Sequence, residues 1–149
     1  MSGSGQTVLH PVHSIFASMP TAPRINILAV DDDESMRELL KLHLSNAGYV
    51  VTLAEDAIAA GHRMLRMPPD LVILDIDLPF LNGLDFASAL LADATVTKVP
   101  IIFISAHEDF APRAQRLGAD FLVKPFRKEL LLASVARHLQ SESQAAAPS

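Results

Sequence analysis

Leu71-Val72-Ile73-Leu74 runs straight into a carboxylate, Asp75, and that junction leaves few folds open. Four consecutive apolar residues, two of them β-branched, read as a strand buried on both faces. An ionised carboxylate buried beside a core strand is costly unless it is paired or bound to a metal. Asp75 therefore belongs at the strand's C-terminal end, on the rim where open α/β sheets carry their sites. Pro68-Pro69-Asp70 lead into the strand, and Pro79-Phe80-Leu81-Asn82-Gly83 form a turn-rich loop after it.

The rest of the chain repeats this grammar. Ile25 to Val30 reads as a first strand, ending in Asp31-Asp32-Asp33-Glu34. A helix over 35–47 follows, with Met36, Leu39, Leu40, His43 and Leu44 at helical spacing and Gly48 as its stop. Asp33 and Glu34 suit that helix's N-terminus. The spacing predicts a second strand over 49–53, an Ala-rich helix over 55–67 and, after the Asp75 strand, a short helix over 84–92. A fourth strand over 100–104 ends at Ser105. A helix over 109–117, with Pro112 near its start, is closed by Gly118. A fifth strand over 120–123 ends at Lys124-Pro125. The last helix covers 127–139, with Leu130, Leu131, Val135 and Leu139 as its buried positions. Strands alternating with helices imply a doubly wound parallel sheet with right-handed crossovers and helices on both faces. Phe103 and Met36 read as core. Arg113 and Arg116 read as a partner surface or a solvated face.

The 149 residues fit one domain, and half of them are hydrophobic, enough for one sizeable core. Residues 1–23, rich in Ser, Gly and Pro, read as a flexible arm in which His10 and His13, separated by Pro11, are solvated. Residues 141–149 read as a flexible tail. The net charge of −5 and the lack of any Lys/Arg run argue against direct nucleic-acid binding. Cysteine is absent, which excludes disulfides and thiolate metal sites. No apolar run approaches a bilayer span and no secretory signal is visible, so the expectation is a soluble cytoplasmic protein without membrane contact.

On one rim of such a sheet stand Asp31 and Asp32 from strand one, Asp75 from strand three, Ser105 from strand four and Lys124 from strand five. Three crowded carboxylates repel one another, and a hard divalent cation relieves that repulsion. Oxygen-only ligands suit Mg²⁺. Lys124 adds a point positive charge and Ser105 a hydroxyl donor. Phosphoryl transfer to a carboxylate needs this set: a nucleophilic oxygen, a metal, and donors for the remaining oxygens.

With these pieces in order, the chain resembles a receiver domain of two-component response regulators over residues 24–140. The resemblance rests on four segments: Val30-Asp31-Asp32-Asp33; Leu74-Asp75-Ile76-Asp77-Leu78-Pro79 with Asn82-Gly83; Ile104-Ser105-Ala106; and Gly118-Ala119-Asp120-Phe121-Leu122-Val123-Lys124-Pro125-Phe126. It implies a flavodoxin-like, five-stranded parallel sheet in order 2-1-3-4-5. It makes Asp75 the phosphoacceptor and Asp31 and Asp32 the acidic pair that, with Asp75 and the backbone carbonyl of Asp77, holds Mg²⁺. Ser105 would hydrogen-bond the phosphoryl group and Lys124 would ion-pair with it. Ser105 and Phe121 would form the switch, although Phe121 lacks the hydroxyl of the Tyr often found there. Asp77 and His107 occupy positions that tune phosphoryl lifetime.

The implied partners are a sensor histidine kinase or a histidine phosphotransfer protein as donor, and a downstream protein on the surface of helix four and strand five. A phosphorylation-dependent homodimer is compatible with the resemblance. The domain would be a phosphoacceptor that promotes its own phosphorylation and dephosphorylation, not a turnover enzyme. With no effector segment after residue 140, output would pass through a partner, or the sequence is a piece of a longer regulator or hybrid kinase. Two rival readings stand beside this one. Asp75-Ile76-Asp77 also resembles the nucleophile motif of haloacid dehalogenase-type phosphatases, but Pro79 stands where that motif wants Thr or Ser. The other rival is a receiver-like binding module that is not phosphorylated.

Overall fold

The computed structural model describes residues 24–146, with side-chain surroundings for 24–140; the arm over 1–23, including His10 and His13, lies outside the described residues. Strands β1 (Asn26–Val30), β2 (Val50–Ala54), β3 (Leu71–Asp75), β4 (Ile101–Ser105) and β5 (Asp120–Val123) alternate with helices α1 (Glu34–Asn46), α2 (Ala57–Arg66), α3 (Gly83–Ala92), α4 (Ala111–Arg116) and α5 (Lys128–Ala146). All strand pairs are parallel and the order is β2-β1-β3-β4-β5, as expected. The chain reverses its winding between β1 and β3, and that reversal opens a crevice at the strands' C-terminal ends.

The apolar runs divide by alternation between the two faces. Leu28, Val30, Val72, Leu74 and Phe103 face one core with Ala57, Ala60, Leu84, Ala87 and Ala114 of α2, α3 and α4. Ile27, Ala29, Leu71, Ile73, Ile102 and Ile104 face the other, with Leu40 and Leu44 of α1 and Leu131 and Val135 of α5. Every residue of β3 and of β4 is buried, and β3, which ends in Asp75, is the central strand of the sheet.

The helices α1, α2 and α3 each start on a polar cap. The Asp33 carboxylate accepts from Ser35 N–H at 3.1 Å, Asp56 from Ala59 N–H at 2.8 Å, and Asn82 from Asp85 N–H at 2.9 Å. Gly48 turns the chain into β2 with a φ of 98°, in the left-handed region open to glycine.

Four expectations are corrected. Leu39, on the flank of α1's buried stripe, is 39% exposed, and Leu130 is 55% exposed because the inward row of α5 is Leu131, Ser134 and Val135. The segment expected as one helix over 109–117 splits into a 3₁₀ turn, Glu108–Phe110, and the short α4. Pro112 donates no N–H and fits only the first helical turn, so the α-helix cannot start much earlier than Ala111. Residues 141–146, read from sequence as the start of a flexible tail, continue α5. That stretch carries no Gly or Pro, and alanine is the strongest helix former. No helix among the described residues is long and apolar enough to cross a membrane.

Candidate functional site

Register brings the rim residues into one layer. Val30 pairs with Leu74, Asp75 with Ile104, and Ser105 with Val123, so Asp31, Asp75, Ser105 and Lys124 emerge side by side. Asp31 and Asp75 are almost wholly buried, whereas Asp32 is exposed. One carboxylate oxygen from each of the three lies within 4.8 Å of the others. Lys124 Nζ sits 2.8 Å from Asp31 and 3.5 Å from Asp75, so its shorter ion pair is with the strand-one acid.

Asp31 is fixed further by the Asp33 N–H, which donates to its carboxylate at 2.9 Å, and by Arg37, which donates to its carbonyl at 2.7 Å. Asp75 accepts from the Asp77 N–H at 3.1 Å. Those contacts leave Asp75 under-compensated. Burial, helped by the neighbouring Asp31 charge, raises its carboxyl from 3.8 to about 6 against the opposing pull of Lys124. For Lys124, burial alone would lower the ammonium pKa, but the hydrogen bond to Asp31 and the charges of Asp75 and Asp31 outweigh it and the net shift is upward. A cluster of hard oxygens, two of them buried and one held in an unfavourable ionised state, is a donor set that fits a hard divalent cation such as Mg²⁺.

Ser105 is buried, and its hydroxyl donates to Asp77 Oδ2 at 3.0 Å while accepting from the His107 N–H at 3.0 Å. The exposed Asp77 side chain is thereby turned back toward β4. The His107 ring meets Phe110 edge-on, with centroids 6.3 Å apart. Phe121 is half-buried against the α2–α4 side of the sheet, in the cluster that also holds Phe103, Phe110 and Leu117. Arg113 and Arg116 are exposed on α4. The structure thus gathers Asp31, Asp32, Asp75 and Lys124 directly, ties Ser105 to Asp77, and sets Phe121 on the face where α4 packs.

Two residues matter more than sequence reasoning allowed. Gly83 packs its Cα onto the end of β3: a Cβ there would stand 2.3 Å from the Asp75 carbonyl oxygen, closer than any real contact. The Gly83 N–H also donates to the Ile76 carbonyl at 2.9 Å. The Asn-Gly pair was visible as a turn signal, and its second member is the spacer that lets α3 begin against Asp75. Phe80, in the same loop, has a φ of 69° and is 85% exposed; nothing in its neighbours' sequence marks that conformation.

Comparison with known proteins agrees with this geometry. The profile of the response regulator receiver domain matches residues 27–136. The chain is 40% identical to the response regulator MprA of Mycobacterium leprae, over 74% of this chain and 49% of that protein. It is 38% identical to the uncharacterized transcriptional regulatory protein YvcP of Bacillus subtilis, over 73% of this chain and 46% of that one. It therefore spans about half the length of the curated relatives it matches. Among solved structures, the chemotaxis response regulator CheY4 of Vibrio cholerae superposes with a TM-score of 0.70 at 30% identity, over 77% of this chain and 98% of that one. NtrX from Brucella abortus does so with a TM-score of 0.76 at 31% identity, over 83% of this chain and 29% of that one.

Proposed function

The chain belongs to the response regulator receiver domain family, and on that premise we propose that Asp75 accepts a phosphoryl group from a phosphohistidine donor. The donor is a sensor histidine kinase or a histidine phosphotransfer protein. The observation that carries this reading is the state of Asp75: a buried strand-end carboxylate, pushed up to about 6, beside a lysine and two further acids. A carboxylate perturbed by burial and by specific charged neighbours, at the end of a sheet strand, is the mark of a functional group.

An oxygen of the Asp75 carboxylate attacks phosphorus in line with the leaving imidazole. An O–P bond forms as the P–N bond breaks. Asp31, Asp32, Asp75 and the Asp77 carbonyl would hold Mg²⁺, which when bound neutralises charge between the carboxylates and the phosphoryl oxygens. Lys124, already between Asp31 and Asp75, turns to the new dianion as the Asp75 charge is consumed. The Ser105 hydroxyl donates to a phosphoryl oxygen, and movement at β4 is read out by Phe121 on the α4–β5 surface, where a downstream protein binds. Asp77 and His107 flank the path by which water reaches the phosphoryl group. The domain is its own substrate in these steps, not a turnover enzyme.

Acetyl phosphate with Mg²⁺, followed by intact mass, tests the reading on wild type and Asp75→Asn. One phosphoryl group gained by wild type alone, and only with Mg²⁺, is the expected result. No gain in wild type would favour a receiver-like binding module instead.

A further inference from the structure

The Ser105 hydroxyl has one proton, and the structure shows where it goes. It is donated to Asp77 Oδ2 at 3.0 Å, while the oxygen accepts from the His107 N–H. A hydroxyl can donate only once. Ser105 therefore cannot donate to a phosphoryl oxygen on Asp75 until it releases Asp77. We propose that the Asp77 carboxylate is a competing acceptor, a latch that holds the Ser105 hydroxyl in the unmodified state and gives it up when Asp75 carries a phosphoryl group. This rests on the receiver reading above and adds a positioning residue to it.

The burial pattern makes such an exchange feasible. Ser105 is fully buried, so its proton must always have an acceptor, and two acceptors in turn satisfy it. Asp77 is exposed, so its carboxylate, once released, is taken up by water and leaves no orphaned group behind. A buried Asp77 would make release expensive; an exposed one makes the latch weak enough to open. The backbone of the same residue has a separate part: its N–H holds Asp75 Oδ1 at 3.1 Å whichever way the side chain points. Truncating the side chain thus removes the latch without removing that hydrogen bond. Asp77 also places negative charge near Asp75. Removing it would favour an anionic ligand through charge alone, and a test has to separate that effect from the latch.

A double-mutant cycle does so. Beryllofluoride with Mg²⁺ serves as the phosphoryl analogue, and its affinity is measured by calorimetry for wild type, Asp77→Ala, Ser105→Ala and the double variant. The latch requires that Asp77→Ala tighten binding about fivefold beyond any gain it produces in the Ser105→Ala background, the equivalent of one hydrogen bond of about 1 kcal/mol. Asp77→Asn, which keeps a carbonyl acceptor without the charge, should retain part of the coupling to Ser105. An equal gain from Asp77→Ala in both backgrounds would mean charge repulsion alone and overturn the latch. No binding by any of the four proteins would overturn the receiver reading and the latch together.

Discussion

Asp120 opens β5 at one end of the sheet and Asp75 closes β3 at the other, and the fold treats these two carboxylates in opposite ways. Asp120 accepts from the Ser134 hydroxyl at 2.6 Å, from the Phe121 N–H at 3.0 Å and from Arg137. Burial alone would raise its pKa, but these donors outweigh burial and hold the carboxyl below its ordinary range. Asp75 is more deeply buried and has one backbone donor, a lysine at 3.5 Å and a second buried acid beside it. Its carboxyl rises to about 6. The satisfied acid ties α5 to β5 and is finished; the under-satisfied one keeps a demand for positive charge that a hard divalent cation can meet. Compensation at one end of the strands gives stability, and its lack at the other supports the proposed role of Asp75 as the reacting carboxylate.

The largest expected difference is chemical. Asp75→Asn abolishes labelling by acetyl phosphate, whereas Asp120→Asn leaves it intact; intact mass reads both. Next comes stability, with opposite signs. A carboxyl whose folded pKa is raised from 3.8 to about 6 stabilises the fold fully below the lower value, and that contribution is lost as pH rises through the upper one. Metal-free Asp75→Asn should therefore gain on wild type as pH rises from 4 to 7, by up to about 3 kcal/mol in urea unfolding. Asp120→Asn should instead lose about 1 kcal/mol above pH 4, since its pairing with Arg137 is partly solvent-screened, and the loss should shrink as acid protonates the wild-type group. Equal signs for the two substitutions would contradict the opposite environments of the two carboxylates.

Gly83→Ala disturbs only the Asp75 end. The added Cβ must displace the β3 carbonyl, costing about 1–3 kcal/mol and slowing labelling, with the Asp120–Ser134 bond untouched. The smallest effect is expected for Phe80→Gly. Relief of the left-handed backbone is offset by greater freedom in the unfolded chain, so unfolding should shift by less than about 1 kcal/mol.

The architecture was legible because its signals are local. Apolar runs ending in Asp31, Asp75, Ser105 and Lys124 mark strand ends, and capping residues such as Asp33 and Asn82 mark helix starts. The last helix carried no Gly or Pro to mark its end, and the sequence placed its end before Ala146. Leu39 and Leu130 fit a helical period yet lie on the flank of the buried stripe, a rotation of the helix that spacing alone does not set. Within the site, residue types were readable but partners were not. The closer approach of Lys124 to Asp31 than to Asp75, and the Ser105–Asp77 bond, depend on rotamers chosen across strands. Gly83 was readable as a turn residue, while the backbone it must clear belongs to another element.

Reductive trapping bears most directly on Asp75 as the reacting carboxylate. After acetyl phosphate and Mg²⁺, borohydride converts an aspartyl phosphate to homoserine, and peptide sequencing by mass spectrometry locates it. Homoserine at position 75 alone is the expected result. Homoserine at Asp31, Asp32, Asp77 or Asp120 in its place, or at no aspartate, would contradict it.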